Sequence, residues 1–131
     1  MTADNVEIVS QAIAAINDRD VERYLALCAA DIELVSPTAA IEGASAGESG
    51  IREFFAGVEE TTDEFRLEVE ALRELSDGRV LAFLRVTTRS KRGVSLAQPA
   101  TNVYALSDGK LRRVTVYRDR DEALAAVGLT A

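Results

Sequence analysis

"EFRLEVEALRELSDGRVLAFLRVT", residues 64–87, is the stretch that decides the fold. From Phe65 onward, apolar residues alternate with charged ones, which is the period of a half-buried β-strand. Asp77 and Gly78 then readily supply the positive φ angles of a tight hairpin turn. A second strand follows over residues 80–88, so the stretch predicts an antiparallel hairpin.

The hairpin belongs to a longer pattern in which helices come first and strands second. Amphipathic helices are predicted over residues 4–17, 20–30 and 50–60. Short strands are predicted at "DIELVSP" and "AAIEG", and longer ones over residues 65–75, 80–88, 95–106 and 110–118. A short helix, "RDEALAAVGL", comes last. This order predicts an α+β fold in a single domain that spans residues 1–131.

Composition and charge argue against several classes of function. The formal net charge of −7 opposes contact with a phosphate backbone, so we expect no nucleic-acid partner. The chain has no histidine and a single cysteine, Cys28, so the usual zinc ligand sets cannot be assembled. We therefore expect no metal and no other cofactor. No apolar run could span a bilayer, and "MTADNVEIV" lacks a signal-peptide pattern, so we expect a cytoplasmic protein without a membrane partner.

The strand "VLAFLRVT", residues 80–87, is apolar on both of its faces. One face carries Val80, Ala82, Leu84 and Val86, and the other carries Leu81, Phe83, Arg85 and Thr87. We expect the N-terminal helices to cover the second of these faces and another copy of the chain to cover the first. Tyr104 and Tyr117 fall by parity on the face that meets the other copy. This predicts a homodimer through the outer face of the sheet.

The helix-covered face is predicted to hold a small-molecule pocket, since apolar walls with a few converging polar groups are typical of such sites. The predicted lining residues are Ser36, Phe54, Phe55, Phe83, Thr87, Thr101 and Val103. Arg85 either clamps a ligand or forms a buried ion pair, with Asp119 or a nearby glutamate, that orders the pocket wall. Asp119 is either a proton carrier or the cap of the last helix. The Ser36 hydroxyl either bonds turn backbone before Pro37 or contacts a ligand.

Several segments together resemble the SnoaL-like branch of the nuclear transport factor 2-like superfamily. They are "AADIELVSPTAAIEG", "GIREFF" and "DGKLRRVTVYRDRDEALAAVGL", and the resemblance extends over essentially the whole chain. It implies a cone-shaped α+β fold with a curved, mostly antiparallel sheet around a pocket, commonly as a dimer. Members of the superfamily include polyketide cyclases, ketosteroid isomerases and limonene-type epoxide hydrolases, so the resemblance constrains the fold more than the function.

The proton carriers of these relatives do not all carry over to this sequence. Ser36 stands where a ketosteroid isomerase has its carboxylate base, and Asn102 lies near the carboxylate of a polyketide cyclase. Arg85 and Asp119 match an arginine and an aspartate of the epoxide hydrolases, but Thr87 replaces their other aspartate. Neither a hydroxyl nor an amide can titrate at neutral pH, so each familiar chemistry has lost a group.

Two hypotheses follow for the function. The first is a metal-independent isomerase, cyclase or hydrolase that acts on a small, mostly apolar organic molecule. In it Arg85 orients the substrate and Asp119 carries the proton. The second is a ligand-binding or dimerisation module without turnover. Ligand binding or turnover is expected between the helices and the sheet, and dimerisation through the outer face of the sheet.

Overall fold

The computed structural model describes residues 4–36 and 45–129. The helices are α1 (Asn5–Asn17), α2 (Val21–Ala26), α3 (Gly47–Thr61) and α4 (Arg120–Ala126). The strands are β1 (Cys28–Val35), β2 (Ser45–Ala46), β3 (Thr62–Glu74), β4 (Val80–Ser90), β5 (Ser95–Ser107) and β6 (Lys110–Tyr117). The predicted α+β fold, with helices before an antiparallel meander, is confirmed.

Within the described residues, six strands form one open sheet in the order β2-β1-β6-β5-β4-β3. Only the pair β1 and β6 is parallel, and the other neighbouring pairs are antiparallel. The register shifts within the β3–β4 and β5–β6 pairs, and such bulges bend and twist a sheet. The sheet is therefore curved, with α1, α2 and α3 on one side and α4 on the other.

Aspartates cap the first two helices, which begin within one residue of their predicted starts. The Asp4 side chain accepts from the Val6 amide at 3.2 Å, and the Asp20 side chain accepts from the Arg23 amide at 3.1 Å. α2 ends at Ala26, four residues before its predicted end, because the chain joins the sheet at once. The Leu111 amide donates to the Leu27 carbonyl at 2.9 Å, which draws the start of β1 forward. The predicted strand "AAIEG" lies outside the described residues.

Two apolar clusters lie on opposite sides of the sheet. The larger one packs α1, α2 and α3 on the inner face and includes Val80, Ala82 and Leu84 from β4. The smaller one joins Leu81 and Val103 of the outer face to Leu124 of α4. The inner cluster is therefore the main core and fixes the position of the helices over the sheet.

The prediction of which β4 face the helices cover is wrong. Val80, Ala82 and Leu84 face the helices, whereas the opposite face points outward. The pattern of β4 cannot decide between the faces, because both are apolar. The assignment depends on its pairing with β3, where Leu67 is opposite Val86.

The Asn17 side chain fixes α1 to β3. Its Nδ2 donates to the Leu67 carbonyl at 2.9 Å, and its Oδ1 accepts from the Leu67 amide at 2.8 Å. A side-chain amide thus replaces a neighbouring strand at this point of the sheet edge. Leu67 is thereby held beneath the helices.

In the described part of the chain, no helix is both long enough and apolar enough to cross a membrane. Within the same residues, no group of three histidine, cysteine or carboxylate side chains is arranged to hold a metal ion.

Candidate ligand cavity

A cavity of about 300 Å³ lies between the inner face of the sheet and the helices. Most of its wall is apolar. The apolar lining residues are Ile16, Leu34, Ile51, Phe54, Phe65, Leu67, Leu84, Val86, Pro99, Ala100, Val114 and Val116. The volume falls at the lower end of the range for small-molecule sites.

The polar lining residues come from α2, the end of β1, β5 and the end of β6. They are Tyr24, Ser36, Gln98, Asn102, Tyr104, Tyr117 and Arg118. Arg118 is exposed, so its guanidinium reaches solvent. Among the described residues the lining contains no carboxylate.

Aromatic rings pack edge to face along the helical wall of the cavity. The ring centroids of Phe54 and Phe65 lie 6.1 Å apart, and those of Phe54 and Phe55 lie 5.7 Å apart. Phe55 continues the series to Tyr24, at 5.6 Å between centroids. These distances, with ring planes inclined at 65–85°, are typical of edge-to-face aromatic pairs. The rings connect α2 and α3 to β3.

A buried amide and a buried phenol meet in the sheet wall. Asn102 is 6% exposed, and its Nδ2 donates to the Tyr104 hydroxyl oxygen at 3.1 Å. The Asn102 Oδ1 is buried without a hydrogen-bond partner among the described residues. A buried polar atom without a hydrogen bond lowers the stability of the folded state by about 1–3 kcal/mol. A hydrogen bond to the Asn102 Oδ1 would therefore be favourable.

Burial raises the pKa of two of the tyrosines that line the cavity, Tyr104 and Tyr24. It raises the pKa of Tyr104 to about 12, although the hydrogen bond from Asn102 acts in the opposite direction. It also raises the pKa of Tyr24 well above the ordinary value, and the neighbouring Tyr104 and Cys28 add to the rise. At neutral pH both hydroxyls therefore remain hydrogen-bond donors.

These shifts predict a loss of stability in alkali. The unfolded chain ionises its tyrosines near pH 10, whereas folded Tyr104 keeps its proton until about pH 12. The folded state then binds more protons than the unfolded state, so the free energy of unfolding falls as the pH rises through this window. Burial likewise raises the pKa of Cys28 to about 12, which has the same sign.

Urea unfolding followed by circular dichroism should show a decrease of at least about 2 kcal/mol between pH 8 and pH 11. Tyr104→Phe should reduce that decrease by about 1 kcal/mol. An equal decrease in both proteins would contradict the assignment of the raised pKa to Tyr104.

The structure places two of the predicted pocket residues, Ser36 and Phe54, in the cavity wall. Phe55 packs edge to face against Phe54 and lines a separate concavity with Arg19 and Arg52 instead. What Ser36 does there stays a prediction.

The remaining predicted pocket residues lie on the outer face of the sheet. Arg85 is exposed and forms no ion pair with another described residue, so neither the predicted clamp nor the predicted buried ion pair is found. Phe83 lies beneath the Arg120 guanidinium, 4.4 Å from the ring centroid. Thr87, Thr101 and Val103 share this face. Their predicted place in the cavity is wrong.

Asp119 caps α4 and does not line the cavity. Its side chain accepts from the Asp121 amide at 3.0 Å, which is the capping alternative for this residue. Tyr104, predicted at a dimer face, is 1% exposed and belongs to the inner core. Tyr117 packs against the outer cluster and also borders the cavity.

Sequence reasoning missed Tyr24, Gln98, Tyr104 and Arg118 as lining residues. For the residues on strands, the missed signal was the register of the sheet, which decides the face on which each side chain lies. Asn102 pairs with Val116 across β5 and β6, so residue 118 returns to the inner face two positions later. Arg118 thus lines the cavity, where the sequence analysis expects Arg85.

Comparison with known structures shows the same fold over nearly the whole chain. TerC, co-crystallised with polyporic acid, is 28% identical with a TM-score of 0.80, over 97% of this chain and 98% of that one. A nuclear transport factor 2-like protein of unknown function from Burkholderia pseudomallei is 19% identical, with a TM-score of 0.79 over 96% and 98%. A hypothetical protein from Catenulispora acidiphila with a ketosteroid isomerase-like fold, in complex with trimethylamine, is 20% identical, with a TM-score of 0.76 over 94% and 93%.

No curated protein matches the sequence significantly. Residues 9–114, which include Tyr24, Asn102 and Tyr104, match the SnoaL-like domain. The resemblance inferred from the sequence is therefore confirmed, and the chain belongs to the SnoaL-like domain family.

Proposed function

We propose that the chain binds a small, mostly apolar organic molecule in the cavity between helices and sheet. The observation that carries this proposal is the cavity itself, about 300 Å³ with apolar walls and a few polar groups. Arg118 at its exposed end would hold an anionic group of the ligand toward solvent. The complex of TerC with polyporic acid supports the proposal, since that protein shares the fold and takes up a small organic molecule.

A second candidate function is a cyclase, isomerase or hydrolase. The two protonated tyrosine hydroxyls favour it, because such donors stabilise a developing oxyanion. Proton abstraction also needs a base, and the described lining offers no carboxylate. Arg85 and Asp119 lie outside the wall. We therefore favour binding without turnover. Turnover that is found in a substrate screen and abolished by Tyr104→Phe would instead show that the chain is an enzyme.

Binding of 2-naphthoate, a rigid bicyclic acid, tests the proposal. We expect saturable binding of one molecule per chain with a Kd on the order of 10–100 µM, as is usual for a ligand of this size. Isothermal titration calorimetry or the fluorescence of the naphthalene ring measures it. Absence of saturable binding up to about 1 mM would contradict the proposal.

We also propose that the chain forms a homodimer and acts in the cytoplasm. The outer face of the sheet supports the homodimer. α4 covers this face at Leu81 and Val103 but leaves the part around Arg85 exposed, where a second copy would pack. The single cysteine, Cys28, supports the cytoplasmic location, since no internal disulfide is possible. Sedimentation that shows only monomer at micromolar concentration would contradict the dimer, and cell fractionation tests the location.

A further inference from the structure

The amide of Asn102 has one polar atom without a partner, whichever way the amide is turned. As placed, Nδ2 donates to the Tyr104 hydroxyl oxygen at 3.1 Å and Oδ1 is unpaired. Rotation by 180° would let the phenol donate to Oδ1, but would then leave Nδ2 without an acceptor. In both cases a polar atom of a residue that is 6% exposed lacks a hydrogen bond in the cavity wall.

The Tyr104 hydroxyl also lacks one hydrogen-bond partner within the described part of the chain. When its oxygen accepts from Asn102, its own proton is available to another acceptor, and no acceptor for it is found among the described residues. Tyr104 is 1% exposed, so bulk water does not satisfy it. Oδ1 of Asn102 and the phenolic proton therefore offer an acceptor and a donor within one hydrogen-bonded pair.

A hydroxyl group fits this pair, because it is at once a donor and an acceptor. We infer that the ligand carries a hydroxyl at its buried end, which donates to Asn102 Oδ1 and accepts from the Tyr104 O–H. The ligand class is then a hydroxylated aromatic or alicyclic molecule, with any anionic group at the Arg118 end. This inference rests on the proposed binding function.

The alternative occupant is a water molecule that bridges the same two groups. A ligand hydroxyl then adds nothing, since the amide and the phenol are already satisfied. A bare hydrocarbon end would be accepted equally well. The two cases differ in one measurable quantity, the preference of the protein for a hydroxylated ligand over its parent.

The test compares 6-hydroxy-2-naphthoate with 2-naphthoate by calorimetry. The carboxylate and ring system are shared, so the ratio of the two Kd values reports the hydroxyl alone. We expect the hydroxylated acid to bind about tenfold more tightly to the unmodified protein, as one buried hydrogen bond allows. Equal affinities would overturn the inference and leave the proposed binding function standing. Failure of both acids to bind would instead count against the proposed function.

Two variants test whether Asn102 causes the preference for the hydroxylated acid. Asn102→Leu should reduce the ratio to about one, because it removes the acceptor and keeps a similar volume. Thr101→Val is the matched control, since Thr101 is an equally buried neighbour, 3% exposed, on the outer face. It should keep the ratio near ten. A tenfold preference that persists in a folded Asn102→Leu protein would overturn the inference. The ratio in the unmodified protein decides the matter alone if that variant does not fold.

Discussion

Replacing Leu84 with alanine should lower the free energy of unfolding by about 3 kcal/mol, whereas replacing its neighbour Arg85 should change it by less than about 0.5 kcal/mol. Leu84 is 1% exposed in the inner core, so truncation removes buried methyl groups and enlarges an apolar space. Arg85 is exposed on the opposite face and pairs with no described carboxylate within ion-pair distance. The two adjacent residues thus report the two faces of β4 separately.

Thermal unfolding followed by circular dichroism measures both effects. The Leu84→Ala protein should melt roughly 10 °C below the unmodified chain, and the Arg85→Ala protein within a few degrees of it. The reverse order would show that the guanidinium faces the core. Equal effects would mean that neither face of β4 is the principal buried one.

Filling the cavity should abolish most ligand binding. Val86→Trp places an indole on the inner face, within a space of about 300 Å³ that the ligand must share. We expect the Kd for 2-naphthoate to rise at least about thirtyfold, equivalent to about 2 kcal/mol. Thr87→Trp adds the same ring one residue later, on the outer face, and should leave the Kd within about twofold.

This pair of variants separates loss of the site from loss of the fold. Both proteins should keep a cooperative unfolding transition, because each tryptophan sits at a position that is only partly buried. A weakened Thr87→Trp complex beside an unchanged Val86→Trp complex would place the ligand on the outer face. The calorimetric titration used for the unmodified chain measures both.

The elements of the fold follow closely from local sequence signals. The first two helices begin within one residue of their predicted starts, and the turn at Gly78 joins two strands as predicted. These features depend on neighbours within a few residues, which a pattern of apolar periodicity and turn residues records. β1 starts earlier than predicted. The local pattern does not show this, because the partner of its first residue, Leu111, lies far along the chain.

The faces of the sheet were misassigned because they depend on a bulge. Near the Asp-Gly turn, Arg73 pairs with Leu81, and that register would bring Leu67 opposite Thr87. The register shifts by one between Val69 and Ala71, so Leu67 instead meets Val86. A one-residue shift moves a whole strand's side chains to the other face relative to its partner.

Which strand residues line the cavity also depends on the register of the sheet. Ser36 and Phe54 line the cavity, and their predicted contact with a ligand stays a prediction. Arg85 and Arg118 are both single arginines beside apolar strand residues, and only the register of the sheet separates them. The unpaired oxygen of Asn102 is a tertiary property that no pattern of residue types contains.

The most direct test of the central claim is a set of intermolecular nuclear Overhauser effects between bound 2-naphthoate and methyl-labelled protein. The account predicts contacts from the naphthalene protons to the methyl groups of Leu84, Val86 and Val114, all of which line the cavity. Contacts to the methyl groups of Thr87 and Val103, without contacts to the first three, would contradict it, because those two lie on the outer face.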